Sequence, residues 1–222
     1  MDVLLAHQAL ADPNRLAVAH ALLTRDLSPG EIGEQWGLST SLVAHHVKTL
    51  VEAGIAVRRG GEHDGRKSYL SLRRDDPEAV ALVAIGAPGV PRPRRVAFVC
   101  TQNSARSKLA AALWRRVSDV PVVDAGTTPS LAPHPMTVQT AHRRGLEIDA
   151  DMHQMKDTLV AGDLVIAVCD HVHETLPTDV ERWHWSIPDP VPAAAVTSFD
   201  DTCDAIQIRI HDLNEALTAT CT

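Results

Sequence analysis

Along residues 1–85 the apolar positions recur at helical spacing, whereas along residues 94–222 they gather into short runs separated by helical stretches. In the first region Leu16, Ala19, Leu22 and Leu23 form a stripe that predicts an amphipathic helix. Asp12-Pro13 opens it, because a carboxylate at the cap satisfies an orphan N–H and proline has none to lose. Ser28-Pro29-Gly30-Glu31 has the form of a capping box and starts a short helix through Trp36. Gly37-Leu38-Ser39 reads as a tight turn, with Ser39 capping a helix from about Thr40 to Ala53. Leu42, Val43, Val47, Leu50 and Val51 are expected on its inner side, and Gly54 closes it. Two helices joined by a short glycine-containing turn predict a helix-turn-helix. Ile55–Arg59 and Arg66–Leu72, either side of the glycine-rich Gly60–Gly65, predict a hairpin wing behind it.

The second region has different grammar. Val96–Val99 is a short apolar strand, and Lys108–Arg116 is a strong helix former. Asp163–Asp170 encloses another apolar run, and Phe199–Leu217 predicts an amphipathic helix that carries Cys203. Strands alternating with helices predict a central parallel sheet flanked by helices. Between the regions, Gly86–Pro93 holds three prolines and two glycines and reads as a linker. The expected fold is therefore two domains. Residues 1–85 form a mainly α winged helix-turn-helix, 86–93 a linker, and 94–222 an α/β domain.

Composition narrows the function classes. The 222 residues are 45% hydrophobic and 22% charged, which excludes wholesale disorder. No apolar run approaches the roughly 18 residues of a membrane span. The N-terminus lacks a basic segment before a long apolar one, so a cytoplasmic protein without a membrane partner is expected. Net charge is -7, so any nucleic-acid contact must use a local patch. Residues 1–88 carry 9 basic and 11 acidic groups, yet Arg58, Arg59, Arg66 and Lys67 crowd the hairpin. The helix from Thr40 would enter a major groove, with Ser39, Thr40, Ser41, His45, His46 and Lys48 as its polar candidates, while the hairpin grips phosphates. A winged helix used only for protein contacts is the alternative.

Ala9–Leu16, Ser39–Leu50 and Glu52–Ile55 together resemble the ArsR/SmtB family of metalloregulators. The resemblance implies a homodimeric repressor that reads operator DNA and releases it on binding metal. The chain departs from the arsenic-sensing pattern, since no cysteine precedes residue 100 and trivalent arsenic favours thiolates. His7, His20, His45, His46 and His63 are scattered, and no metal site is predicted.

Chemistry concentrates at Cys100-Thr101-Gln102-Asn103-Ser104-Ala105-Arg106-Ser107, between the strand and the helix. A loop in that position converges backbone N–H groups on an anion. The same amides and the positive helix end favour the thiolate of Cys100. Residues Thr101 to Ala105 wrap a tetrahedral oxyanion, and Arg106 presents a planar fork to two of its oxygens. Ser107 can donate to the sulfur, and Asn103 can pin the loop. Asp189, in Pro188-Asp189-Pro190, is the candidate general acid.

These motifs, with Asp124-Ala125-Gly126-Thr127 and Asp163–Asp170, resemble the low-molecular-weight tyrosine phosphatase superfamily, and within it the arsenate reductase branch. Tyrosine phosphatases of this fold carry an aromatic residue after the Asp-Pro pair. Val191 stands there, which favours a small oxyanion such as arsenate or phosphate. The resemblance implies no bound cofactor and an external thiol reductant. Thioredoxin-coupled relatives use two further cysteines seven residues apart. Cys169 matches the first, but the second position is Leu176. Either a small thiol resolves the Cys100 adduct, or Cys169 pairs with Cys100 and an external reductant opens the bond. With 17 Arg against 4 Lys, codon usage suggests an actinobacterial source, and so mycothiol beside thioredoxin. Cys169 also reads as a core thiol, Cys203 as core, and Cys221 as incidental. His171 and His173 are expected in a solvated loop, and Trp183 and Trp185 in packing. The leading expectation is an arsenic-responsive regulator that is also an arsenate reductase. The alternatives are a regulator sensing oxyanion or arsenite without turnover, and a phosphatase joined to a DNA-binding module.

Overall fold

The computed structural model describes residues 2–192 and 196–218, so Cys221 lies outside the described residues. The chain divides into two compact units, Met1–Gly89 and Val90–Thr222, each with its own apolar core.

The first unit runs α1 (Val3–Leu10), α2 (Pro13–Leu22), α3 (Pro29–Trp36), α4 (Thr40–Glu52), β1 (Ala56–Gly60), β2 (Ser68–Leu72) and α5 (Pro77–Ala84). All five helices begin at a side-chain cap: Asp2, Asp12, Ser28, Ser39 and Asp76 each accept from first-turn N–H groups. The Arg15 N–H on Asp12 holds that carboxyl below its ordinary range. Gly37 takes the left-handed conformation (φ 64°) that ends α3 and turns the chain into α4. The two strands pair antiparallel, Ala56 opposite Leu72, as the wing of a mainly α winged helix-turn-helix.

One element sits differently from its expected register. Val43, His46, Val47 and Leu50 are the buried residues of α4, a stripe spaced three, four and seven. Leu42 is 38% exposed and His46 only 3%. The expected placement of Leu42 inside and His46 on the DNA face is therefore corrected. Position 46 lies one turn from both Val43 and Leu50, and the stripe carries it into the core.

The second unit runs β3 (Val96–Cys100), α6 (Arg106–Val117), β4 (Val122–Gly126), α7 (Pro135–Arg143), α8 (Met155–Thr158), β5 (Leu164–Ala167), α9 (Asp170–Thr175), β6 (Trp183–His184) and α10 (Val196–Thr218). Its four strands form a parallel sheet ordered β4-β3-β5-β6, flanked by helices. Every residue of β3 is buried, the apolar run expected of a strand with both neighbours and both faces covered. Arg95 grips Asp163 with two hydrogen bonds (2.8 and 2.6 Å), fixing the entry of β3 beside that of β5. Burial opposes the Asp163 charge, yet this grip holds its carboxyl below the usual range.

The strand order decides where a ligand can sit. From β3 the chain goes to β4 on one side, then crosses back to place β5 on the other. Such a switch point opens a crevice at the carboxyl ends of the strands. Cys100 ends β3, and Cys169 lies two residues beyond the end of β5.

Candidate active site

The loop between β3 and α6 is shaped by its carbonyls. Those of Cys100, Thr101, Gln102 and Ser104 accept from the N–H groups of Thr127, Thr128, Ser130 and His134 (2.8–3.2 Å). Among the described residues no peptide bond is cis, and across a trans peptide the next N–H points opposite to the carbonyl. The amides of Thr101, Gln102, Asn103 and Ala105 are therefore turned the other way, into the concave side. The amino end of the 12-residue α6 has no side-chain cap, which leaves its first N–H groups for the same space.

Asn103 is the keystone, at φ 51°, the one described non-glycine residue at positive φ. Its Nδ2 donates to Ser107 Oγ (3.0 Å) and Asp124 Oδ1 (2.7 Å), and its Oδ1 accepts from the His153 N–H (2.8 Å). Both amide hydrogens are used, and the partners fix which end is which. Ser107 Oγ accepts from Asn103, which leaves its own hydrogen available to Cys100 Sγ at 3.1 Å. Gly126 supports the loop from below. A Cβ there would stand 2.8 Å from Asn103 N and Thr101 O.

Arg106 is 8% exposed, and its guanidinium donates to the Ile187 carbonyl (2.9 Å) and meets Asp189 at 3.3 Å. That contact brings the Pro188–Pro190 turn to the loop, with Asp189 half-exposed at its rim. Cys169 is buried and stands 3.8 Å from Thr101 Oγ1. Burial pushes the Cys169 thiol up, the Arg106 guanidinium pulls it down, and nearby Cys100 adds to the rise. Cys169 thus lies near enough to Cys100 for their charges to influence one another. Cys203 is fully buried on α10.

Two buried polar pairs near the loop were not foreseen. Lys108, read only as a helix former, is fully buried and binds Asp124 (2.7 Å). No signal in the sequence marked it: only the structure shows Arg106–Trp114 buried without a break, where a lysine needs an internal partner. Asp170 and His184 form a buried contact at 2.9 Å, and His173 stacks on His184 at 4.1 Å. His171 and His173 lie on α9, not in the solvated loop expected for them. Trp185 is buried against Phe98, with ring centroids 5.5 Å apart. Among the described residues, no group of three or more His, Cys, Asp or Glu side chains is placed to hold a metal ion.

In the first unit Ser39, Thr40, Ser41, His45 and Lys48 are exposed along the start and outer face of α4. Arg58, Arg59, Arg66 and Lys67 are exposed on the wing, with Arg58 bonded to Ser68 and Arg66 to Asp64.

Comparison with known proteins separates the two units. Residues 12–67 match the MarR family model. An uncharacterized HTH-type transcriptional regulator of Bacillus subtilis, YceK, is 40% identical over 70 residues, covering 31% of this chain and 67% of that protein. These findings overturn the ArsR/SmtB assignment. The residues that suggested it are the Asp12 and Ser39 caps and the core and turn positions of α2 and α4, which report winged-helix geometry rather than one family. An arsenate reductase of Brevibacillus brevis is 29% identical over 128 residues, covering 55% of this chain and 95% of that protein. The crystal structure of YfkJ from Bacillus subtilis superposes with a TM-score of 0.51 at 20% identity, covering 60% of this chain and all of that one, which is a likeness of fold. Residues 95–221, more than half of the chain, match the family model of the low molecular weight phosphotyrosine protein phosphatases, and through this unit the chain belongs to that family.

Proposed function

We propose that the chain is a DNA-binding regulator whose second unit is a thiol enzyme of phosphatase type, acting on a small tetrahedral oxyanion. The observation that carries the reading is the convergence of Cys100, Arg106 and Asp189. Ser107 Oγ lies 3.1 Å from the sulfur, and the arginine beside it in the chain meets the carboxylate at 3.3 Å. A nucleophile, an oxyanion grip and an acid then share one pocket.

In a phosphate ester the Cys100 sulfur attacks phosphorus and the bond to the leaving oxygen breaks. Arg106 and the loop amides hold the equatorial oxygens, and Asp189 gives its proton to the leaving oxygen. Water then attacks the phosphocysteine, Asp189 takes a proton back, and phosphate departs with the thiolate restored.

A second reading, arsenate reduction, is favoured by Cys169, whose sulfur shares the pocket with Cys100. There the Cys100 sulfur displaces an oxygen of arsenate as water. The Cys169 sulfur then attacks Cys100, so that a disulfide forms and the electron pair of the breaking sulfur–arsenic bond leaves with arsenite. An external dithiol or low-molecular-weight thiol returns the two electrons. Leu176 is 8% exposed and offers no third thiol, which leaves the reductant external.

In the first unit α4 reads the major groove through Ser39, Thr40, Ser41, His45 and Lys48, and the wing holds phosphates. A homodimer places two such helices on two half-sites.

Purified protein supplied in parallel with p-nitrophenyl phosphate and with arsenate tests the two chemistries. The arsenate arm uses the mycothiol–mycoredoxin and the thioredoxin systems. Hydrolysis lost in Cys100→Ser, lowered by about 10²–10⁴-fold in Asp189→Asn and kept in Cys169→Ser supports the phosphatase. Arsenite release that disappears in Cys169→Ser supports the reductase. Phosphate binding with no turnover of either compound overturns both and leaves an oxyanion sensor.

A further inference from the structure

Beneath the loop lies a charged pair that takes no direct part in the displacement. Lys108 is completely buried, and its ammonium contacts Asp124 Oδ1 at 2.7 Å and the Asp151 carbonyl. Asp124 is 1% exposed and accepts from Asn103 Nδ2 on the same oxygen, while Arg115 stands 3.7 Å from its other oxygen. A lysine and a carboxylate taken out of water are costly even when paired, and an apolar pair of similar volume would often serve stability as well. Their retention calls for a use other than stability.

Resting on the thiol chemistry above, we infer that Lys108 and Asp124 are positioning residues that set the direction of the hydrogen-bond chain ending on Cys100. An ammonium only donates and a carboxylate only accepts. Asp124 Oδ1 therefore obliges Asn103 to present Nδ2, and Nδ2 in turn makes Ser107 Oγ an acceptor. The Ser107 hydrogen is left with the Cys100 sulfur, 3.1 Å away. Lys108 supplies the countercharge that lets a carboxylate stand at this buried position. Lys108 and Asp124, which touch neither the substrate nor the sulfur, thus share with the His153 N–H on Asn103 Oδ1 the orientation of the Asn103 amide on which the contacts to Ser107 and Cys100 depend.

The test reads Cys100 directly and needs no turnover. The rate of carbamidomethylation at Cys100 by iodoacetamide is followed at neutral pH by peptide mass spectrometry, with and without inorganic phosphate. It is measured for the full chain and for Lys108→Met, Asp124→Asn and the double variant. The double variant replaces the pair by neutral groups and keeps the protein folded if either single variant does not. Because an amide at 124 can present either end, Asn103 is then oriented by the His153 N–H alone and the chain is held less firmly. Alkylation is expected to slow by about tenfold, the scale of a misdirected hydrogen bond to a charged group. The phosphate concentration giving half-protection should stay within about threefold, since Arg106 and the amides still bind it. A folded double variant that alkylates at the parental rate would reduce the pair to a structural one. So would a loss of phosphate protection parallel to the loss of reactivity, because a slackened loop moves both. If phosphate fails to protect even the parent chain, the oxyanion reading falls and the alkylation rates still judge the pair.

Discussion

At the scale of the residue, what distinguishes the loop is how little freedom its members keep. Cys100, Asn103 and Ser107 could be assigned to one loop from the sequence because they stand at short fixed spacing from Arg106 between a strand and a helix. Lys108 was not, because a lysine in a helix is ordinary until the whole helix proves buried. Gly126 shows the same limit: in the chain it is one of 12 glycines, and in space it is the floor under Asn103. Gly126→Ala would press a methyl onto backbone N and O atoms at 2.8 Å, which cannot swing aside as a side-chain end can. The expected loss is about 1–3 kcal/mol of stability, with Cys100 alkylation slowed because Asn103 must shift. Thermal unfolding together with the alkylation rate checks this, and an alanine variant with both unchanged would refute it.

At the scale of the element, the caps made the first unit legible. Asp12, Ser28 and Ser39 announce helix starts by local chemistry, and α2, α3 and α4 begin where those signals stand. What local chemistry does not fix is the rotation of a helix about its axis. His46 looked polar and was taken for the outer face, while tertiary packing put it inside. Its imidazole nitrogens have no hydrogen-bond partner. Burial lowers its pKa most, with Arg15 and His45 acting the same way and Asp12 opposing. In the unfolded chain the group titrates near the ordinary value of about 6.5. As pH falls below that value the unfolded state takes up the proton first, so the native state loses stability from there down to the lowered folded value. Above it the contribution is complete. The difference in unfolding temperature between the protein and His46→Leu should therefore widen in favour of the variant between pH 7.5 and 5.5. A difference independent of pH would mean that His46 is solvated in the native state.

At the scale of the whole molecule, charge and chain order carry the argument. The net charge of -7 would repel DNA, and the exposed Arg58, Arg59, Arg66 and Lys67 of the wing give the first unit a local basic edge. Arg59→Ala should weaken operator binding about evenly across sequences and lower the slope of log K against log salt by about 1. Titration of labelled DNA at several salt concentrations measures it, and a change confined to one base position would instead assign Arg59 to base readout. The sequence by itself determined the two-domain class, the winged helix and the strand–loop–helix that holds Cys100. It could do so because caps, turns and periodicity act between residues close in the chain. It misassigned the family of the first unit, because the residues it read serve any winged helix. Only the tertiary structure brought Cys169, Asp189 and Asp124 to the loop, buried Lys108 and His46, and made Gly126 a contact surface. Those relations join positions tens of residues apart, and they follow from the β4-β3-β5-β6 order of the sheet, which no local pattern encodes.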